Sequence, residues 1–322
     1  MSSALLLGLF SISMDTFLIP SSWEILNLIC KLSVYLGLAS IAGGSLFLVL
    51  YSDGSRKTTN AILIYCGLGA FLGFQGAGLG FLSQVGQIND QGLTGMFDLS
   101  MSRMLLDTKL GDVTLYRLLG FGLAFLVSIF VFFRIQRLKR PPIPIFYRRL
   151  FTGYCFALMG LALSFRLVGH VSVLSTVSQF AIAIHVLAFG FWIGILVPLY
   201  FLAGLSDTNF VQLKLRSFGR HVILVILLLM GAGGVLLWEL LDSWTELFNT
   251  AYGQSIVVKL FLVILIMAIA AFNKFRLVPK LNSLQGAAEF RQSVVIEGTV
   301  ALLILLVTAY FSTIIGPMQM DH

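Results

Sequence analysis

Apolar runs long enough to cross a lipid bilayer recur along this chain of 322 residues, and they restrict its fold more than any other feature. A helix needs about 20 apolar residues to cross the hydrocarbon core, and backbone groups there must be hydrogen-bonded within the chain. The sequence therefore predicts an all-α fold, a polytopic membrane protein built as a bundle of about eight transmembrane helices. The predicted spans are roughly residues 23–51, 60–85, 113–134, 146–169, 178–205, 218–241, 254–273 and 291–315.

Basic residues separate cleanly between the two sides of this predicted bundle. Because lysine and arginine accumulate in cytoplasmic loops, the connections after the first, third, fifth and seventh spans are predicted to be cytoplasmic, and both termini to face outward. The formal net charge of +7 is then a topology signal and a match to the anionic headgroups of the bilayer. No basic and aromatic surface module for nucleic acid is present. The basic residues of these connections are Arg56, Lys57, Arg134, Arg137, Lys139, Arg140, Arg148, Arg149, Lys214, Arg216, Arg220, Lys274, Arg276, Lys280 and Arg291.

Four glycines of the second span are spaced four residues apart, Gly69 with Gly73 and Gly76 with Gly80. Glycine at this spacing lets two helix backbones approach closely. The pattern predicts tight helix packing along this span.

Four basic residues lie inside the predicted spans, in the outer third of each. Ionisable groups within a span are costly and are candidates for function, although long cationic side chains also reach the headgroups by snorkelling. Both interpretations stay open for these residues, which are Lys31, Arg117, Arg166 and Lys259.

Glu297 is an acidic residue inside a span, about two turns into the last one from the cytoplasmic side. Its short side chain does not reach the headgroups from that depth. We therefore expect it to pair with Lys274, Arg276 or Arg220, and both a structural ion pair and a functional role stay open for it.

Two histidines are expected near the outer ends of neighbouring antiparallel helices. His170 closes the fourth span and His185 lies about two turns into the fifth, so the two imidazoles could share a metal ion. Arg166 lies one turn before His170 on the same face, and a fixed cation there favours the neutral imidazole that binds metals. Ordinary hydrogen-bonded packing is the alternative for this pair. His221 lies at the cytoplasmic end and is interpreted as interfacial.

The C-terminal sequence PMQMDH contains three donors on the predicted outer side, Met318, Met320 and His322. Thioether and imidazole groups suit Cu(I) better than they suit hard cations. The tail is therefore either a segment that recruits Cu(I) or a disordered terminus.

The second half of the chain contains recognisable segments, among them AIAIHVLAFGFWIGILVPLYFLA and RQSVVIEGTVALLILLVTAYF. Over about residues 150–317 they resemble the copper-resistance D (CopD/PcoD) family of bacterial inner-membrane proteins. The first helices are similar to that family in number and polarity. The most specific positions are His185 with Trp192 and Gly194, Tyr252 and Gly253 before Lys259, Asn273 with Arg276 and Pro279, and Ser293 and Val294 before Glu297.

This resemblance implies an eight-helix, multi-pass inner-membrane protein associated with copper handling, in which the outward-facing termini predicted from the charges would lie in the periplasm. It implies that copper moves from the periplasm to the cytoplasm alongside a periplasmic copper-binding protein. His185 would be a ligand or gate near the outer mouth, with Trp192 and Gly194 shaping the helix contact beneath it. The predicted organisation is an outer N-terminal segment (1–22), three helices with a basic cytoplasmic loop (23–145), a CopD-like transmembrane domain (146–317) and the outer Met/His tail (318–322).

Two other functions stay open at this point. A haem-binding or quinone-linked redox protein could use two facing histidines as axial ligands of haem iron, with Arg117, Arg166 and Lys259 neutralising the propionates. A membrane scaffold for a periplasmic copper chaperone would use the polar groups only to organise the bundle. No P-loop or phosphorylation motif is present, and we expect no enzymatic activity.

Overall fold

The computed structural model describes residues 20–139, 141–167, 175–241 and 243–315. Helices form the regular structure of these ranges, in which no β-strand occurs, so the all-α prediction is confirmed. Each of eight described helices has 22 residues or more. With two shorter ones, the helices are α1 (Ser22–Leu50), α2 (Arg56–Asn89), α3 (Leu99–Leu106), α4 (Lys109–Arg137), α5 (Pro144–Arg166), α6 (Thr176–Leu202), α7 (Thr208–Leu240), α8 (Glu246–Asn249), α9 (Ala251–Phe272) and α10 (Leu284–Tyr310).

Seven of the described helices are long and apolar enough to cross a membrane. The remaining long helix, α5, occupies the fourth predicted span. It has arginines near both ends, Arg148 and Arg149 in its second turn and Arg166 in its last turn. The polytopic membrane fold is therefore confirmed, and the predicted number of about eight spans is approximate.

The long helices alternate in direction, so their connections gather at two ends of the bundle. We call the end formed by the α1–α2, α4–α5, α6–α7 and α9–α10 connections the basic end. Contacts between distant parts of the chain hold it together. The Lys214 ammonium at the start of α7 donates to the carbonyl oxygen of Leu50 at 3.2 Å, and the hydroxyls of Thr59 and Tyr147 are 2.8 Å apart.

α1 is the central helix of the bundle. In its most apolar stretch 72% of residues are buried, against 17% in α7 and 11% in α9. Small residues make this position possible: Gly43 of α1 lies against Gly194 of α6, and a Cβ on Gly194 would collide with the carbonyl oxygen of Ala39. Tyr65 of α2 closes the same contact, because its hydroxyl donates to the Gly194 carbonyl at 3.0 Å.

Most of the glycines that are spaced four residues apart in α2 lie against α1. A Cβ on Gly69 would collide with the Ser40 side chain, and one on Gly76 would lie 2.7 Å from the carbonyl oxygen of Cys30. At both positions the added Cβ would be closer than van der Waals contact. Only glycine therefore permits this approach of α2 to α1. The predicted tight packing of the second span is confirmed.

Candidate intramembrane site

His185 lies in the third turn of α6 and is half-buried against α7. Its Nδ1 is 3.3 Å from the carbonyl oxygen of Leu229. Because a carbonyl oxygen can only accept, this contact places the ring proton on Nδ1 and leaves the lone pair on Nε2. Gly233, one turn further along α7, makes room for the ring, since a Cβ there would lie 3.3 Å from His185 Cε1.

Lys259 of α9 is a cation whose charge acts electrostatically on this histidine. The Lys259 ammonium lies 5.8 Å from the centroid of the Phe311 ring. Tyr252, two turns earlier on α9, packs edge-on against the same ring. The predicted intramembrane lysine therefore lies where α9 packs against the turn that follows α10.

Glu297 of α10 is 4% exposed and lies against α6 and the end of α9. Its Oε1 accepts a hydrogen bond from the indole Nε1 of Trp192 at 3.0 Å, and its Oε2 accepts one from Nδ2 of Asn273 at 2.8 Å. Trp192 and Asn273 are themselves buried. These three side chains form a polar group, the Glu297 group, joining three helical segments.

The expectation of an ion pair for Glu297 is wrong. Within the described ranges, no basic side chain lies within ion-pair distance of its carboxylate, and both donors are neutral. Two of the nearby cations instead cover aromatic rings: the Lys274 ammonium lies 5.3 Å from the Phe275 ring centroid and the Arg291 guanidinium 4.2 Å from that of Tyr200. Basic residues at this end of the spans can reach water, whereas indole and amide groups satisfy the carboxylate without burying a second charge.

Two of the outer basic residues, Lys31 and Arg117, come together at the end opposite the basic end, close enough for their charges to interact. The Lys31 ammonium donates to the carbonyl oxygen of Ser312 at 2.9 Å. The Arg117 guanidinium donates to the Ser164 hydroxyl at 3.3 Å and lies 5.0 Å from the Phe165 ring centroid. These cations are held by neutral partners inside the bundle.

Arg166 lies apart from this pair, at the α5–α6 contact. One of its terminal nitrogens donates to Oε1 of Gln179 at 3.2 Å, and its guanidinium lies 4.6 Å from the Phe180 ring centroid. Arg166 also lines one end of an apolar groove of about 410 Å³ between α1, α5 and α6.

Several predicted donors lie outside the described residues: His170, Met318, Met320 and His322. The approach of His170 to His185 and the copper-recruiting tail therefore stay predictions. In the described part of the chain, no three or more His, Cys, Asp or Glu residues are grouped so as to hold a metal ion. The residues that are described here do not by themselves form a closed copper centre.

His221 lies at the basic end, as the sequence predicted, and its side chain is exposed. Its Nδ1 is 2.8 Å from the hydroxyl of the buried Tyr51. The sequence did not predict this contact, because the two residues are 170 positions apart. Asn273 was missed as a partner of Glu297 for the same reason, although a polar residue that ends an apolar run is a recognisable feature.

The fold and these contacts define a multi-pass membrane protein with ionisable groups held inside its helix bundle. Residues 21–175 match the family model for a copper resistance protein D-like N-terminal domain, and residues 212–311 match that for copper resistance protein D. The chain belongs to the copper resistance protein D family. No curated protein and no solved structure matches it. The N-terminal match extends over α1, α2, α4 and α5, where the resemblance rested only on helix number and polarity.

Proposed function

We propose that this protein moves copper across the bacterial inner membrane from the periplasm towards the cytoplasm, as a transporter and not an enzyme. A periplasmic copper-binding protein would supply the ion. Membership of the copper resistance protein D family supports copper as the cargo. The positive-inside rule supports the direction, because it makes the basic end cytoplasmic and leaves His185 nearer the periplasm.

The hydrogen bond of His185 to the Leu229 carbonyl is the observation on which this proposal depends. Histidines that bind metals usually donate their second ring nitrogen to a carbonyl or carboxylate, which fixes the tautomer and directs the other nitrogen at the metal. His185 has this hydrogen-bond arrangement. Its Nε2, which carries the lone pair, is a borderline-soft donor of the kind that copper accepts.

The ammonium of Lys259 opposes a cation at His185, and this favours passage over storage. Like charges repel by about 1 to 4 kcal/mol at about 4 Å, depending on the local dielectric. A copper ion beside both residues would therefore bind weakly and leave readily. Weak, reversible binding suits a cargo that crosses the membrane.

Replacing His185 by alanine tests the proposal. His185→Ala should lower copper accumulation by about tenfold or more, because loss of an indirect partner of a metal ligand already costs 10- to 100-fold in affinity. Cellular copper is measured by mass spectrometry at matched membrane abundance. His221→Ala is the control, since it removes an imidazole at the basic end that is bound to Tyr51.

Two results would contradict the proposal. Equal copper accumulation by wild type and His185→Ala would remove His185 from the copper path. A haem absorption spectrum in the purified wild type that disappears in His185→Ala would support the haem-binding alternative instead.

A further inference from the structure

The Glu297 carboxyl group lies deep inside the bundle, and no counter-charge from the described part of the chain pairs with it. It is 13 residues after the start of α10 and 13 before its end, which places it about 20 Å from either end of that helix. Among the residues of the described ranges, only neutral groups donate to it, the Trp192 indole and the Asn273 amide. A carboxylate at this depth is costly even with two neutral donors, and binding a cation would offset its charge.

A proton fits this position better than copper does. Carboxylate and amide oxygens suit hard cations, whereas Cu(I) prefers thioether, thiolate and imidazole. The Oδ1 atom of Asn273 is buried and accepts no hydrogen bond from any residue that the structure describes. A half-turn of this amide exchanges Oδ1 with Nδ2, which lies 2.8 Å from Glu297 Oε2, so a protonated Oε2 could donate to Asn273.

The same two partners therefore accommodate both forms of the acid. With the amide nitrogen towards Glu297, two N–H groups stabilise the carboxylate; with the amide oxygen towards it, the O–H of the neutral acid has an acceptor. Asn273 begins the π-helical turn Asn273–Leu277. π-helical turns are rare in proteins, and those that do occur often lie at functional sites, because they interrupt the regular helix at one point.

Trp192 connects the Glu297 group to His185 along α6. The two residues are seven positions apart, which places them on one face of the helix and about 10 Å apart along it. A change in the hydrogen bond between Glu297 and Trp192 would therefore act on α6, the helix that positions His185.

We propose that Glu297 is a proton-binding site that takes up and releases one proton as copper crosses the membrane, a role that rests on the proposed function. The carboxylate and a proton form the neutral acid, and no other bond changes. Other titratable groups on α10 and on the segments packed against it are Glu24, Cys30, Lys31, Tyr35, His185, Tyr200, Tyr252, Lys259, Lys274, Arg276, Lys280, Glu289, Arg291 and Tyr310.

Infrared difference spectroscopy tests the proton site without copper. The full-length protein in lipid nanodiscs should show a protonated carboxylic acid band that changes with pH and is lost in Glu297→Gln. Glu289→Gln is the matched control, because Glu289 is on the same helix, near the basic end, and accepts from Gln285. If the wild-type protein shows no such band, or if the band is still present in Glu297→Gln, the proposal is overturned.

A second variant keeps the acid and changes its surroundings. Trp192→Phe removes one donor to the carboxylate, so the neutral acid should persist to higher pH and its band should shift. If the position of the band and its pH dependence are the same in Trp192→Phe as in wild type, the hydrogen bond from Trp192 does not affect proton binding by Glu297. That result would contradict the proposal.

Copper uptake into vesicles at a series of pH values tests the coupling. Wild type and Glu289→Gln should show pH-dependent uptake, and Glu297→Gln should lose that dependence. The same pH profile in wild type and Glu297→Gln would overturn the coupling. If the wild type shows the carboxylic acid band but transports no copper, the proposed function is contradicted. The proton site alone is then supported.

Discussion

Lys31 connects the first long helix to the end of the last one. Its ammonium donates to the carbonyl and hydroxyl oxygens of Ser312, both at 2.9 Å, and to the hydroxyl of Thr313 at 3.2 Å. These contacts hold the π-helical turn Phe311–Ile315, which follows α10. A single side chain thus stabilises the last described turn of the chain.

Lys31→Met should loosen this turn, because it keeps the apolar stem and removes the three donors. Hydrogen bonds from charged groups contribute about 1.5–3 kcal/mol, so amide exchange in residues 311–315 should be roughly ten- to a hundredfold faster. Hydrogen–deuterium exchange with mass spectrometry measures it. Lys109→Met, an exposed lysine at the same end, should leave the exchange unchanged, and equal rates in both variants would contradict the prediction.

The sequence predicted which ionisable residues lie inside the bundle, but not what they contact. Lys31 and Glu297 were recognisable because a charge in an apolar run is unusual. Their partners, Ser312 and Trp192, are 281 and 105 positions away. Such partners depend on how the helices are rotated and packed, which apolar periodicity leaves undetermined when a helix is apolar on every side.

Helices α1 and α6 touch at backbone distance, and glycine is what allows them to do so. Alanine in place of glycine normally favours a helix by up to about 1 kcal/mol. At Gly194 the added Cβ would meet the Ala39 carbonyl, and forcing extra atoms into a packed contact costs about 1–3 kcal/mol. The clash outweighs the gain in helix propensity.

Gly194→Ala should therefore destabilise the protein by about 1–2 kcal/mol, measured by reversible unfolding in mixed micelles. Gly298→Ala is the matched control, because nothing lies within 4 Å of a Cβ there, and it should be neutral or slightly stabilising. If the two variants unfold at the same denaturant fraction, the close approach of α1 and α6 is not as described.

The predicted spans agree with the helices to within a few residues, except where helices extend beyond the apolar run. α10 begins at Leu284, seven residues before the predicted start at Arg291. Its first turns contain the polar residues Gln285 and Glu289, so hydropathy alone excluded them. The Ser283 side chain nevertheless caps the helix there by accepting from the amide of Gly286 at 3.0 Å.

The distribution of charge over the whole molecule predicts its orientation in the membrane. Connections at the basic end contain most of the lysine and arginine outside the spans, so this end should be cytoplasmic. An alkaline phosphatase fusion after His322 should therefore be active, because the enzyme folds only outside the cytoplasm. A fusion after Gly204, in the α6–α7 connection, is the comparison and should be inactive. The reverse pattern would overturn the orientation and the proposed direction of copper movement.

The central position of α1 affects the order in which the chain can assemble as it is made. α1 leaves the ribosome before its neighbour α6, which ends at Leu202, about 150 residues after the end of α1. At roughly 5–20 residues per second, the glycine-lined face of α1 waits on the order of 10 to 30 s for that neighbour. During this interval Ser40 and Ser45, buried in the finished bundle, face lipid or the insertion machinery. Biogenesis of this protein should thus be more sensitive to changes in α1 than to changes in the lipid-exposed α9.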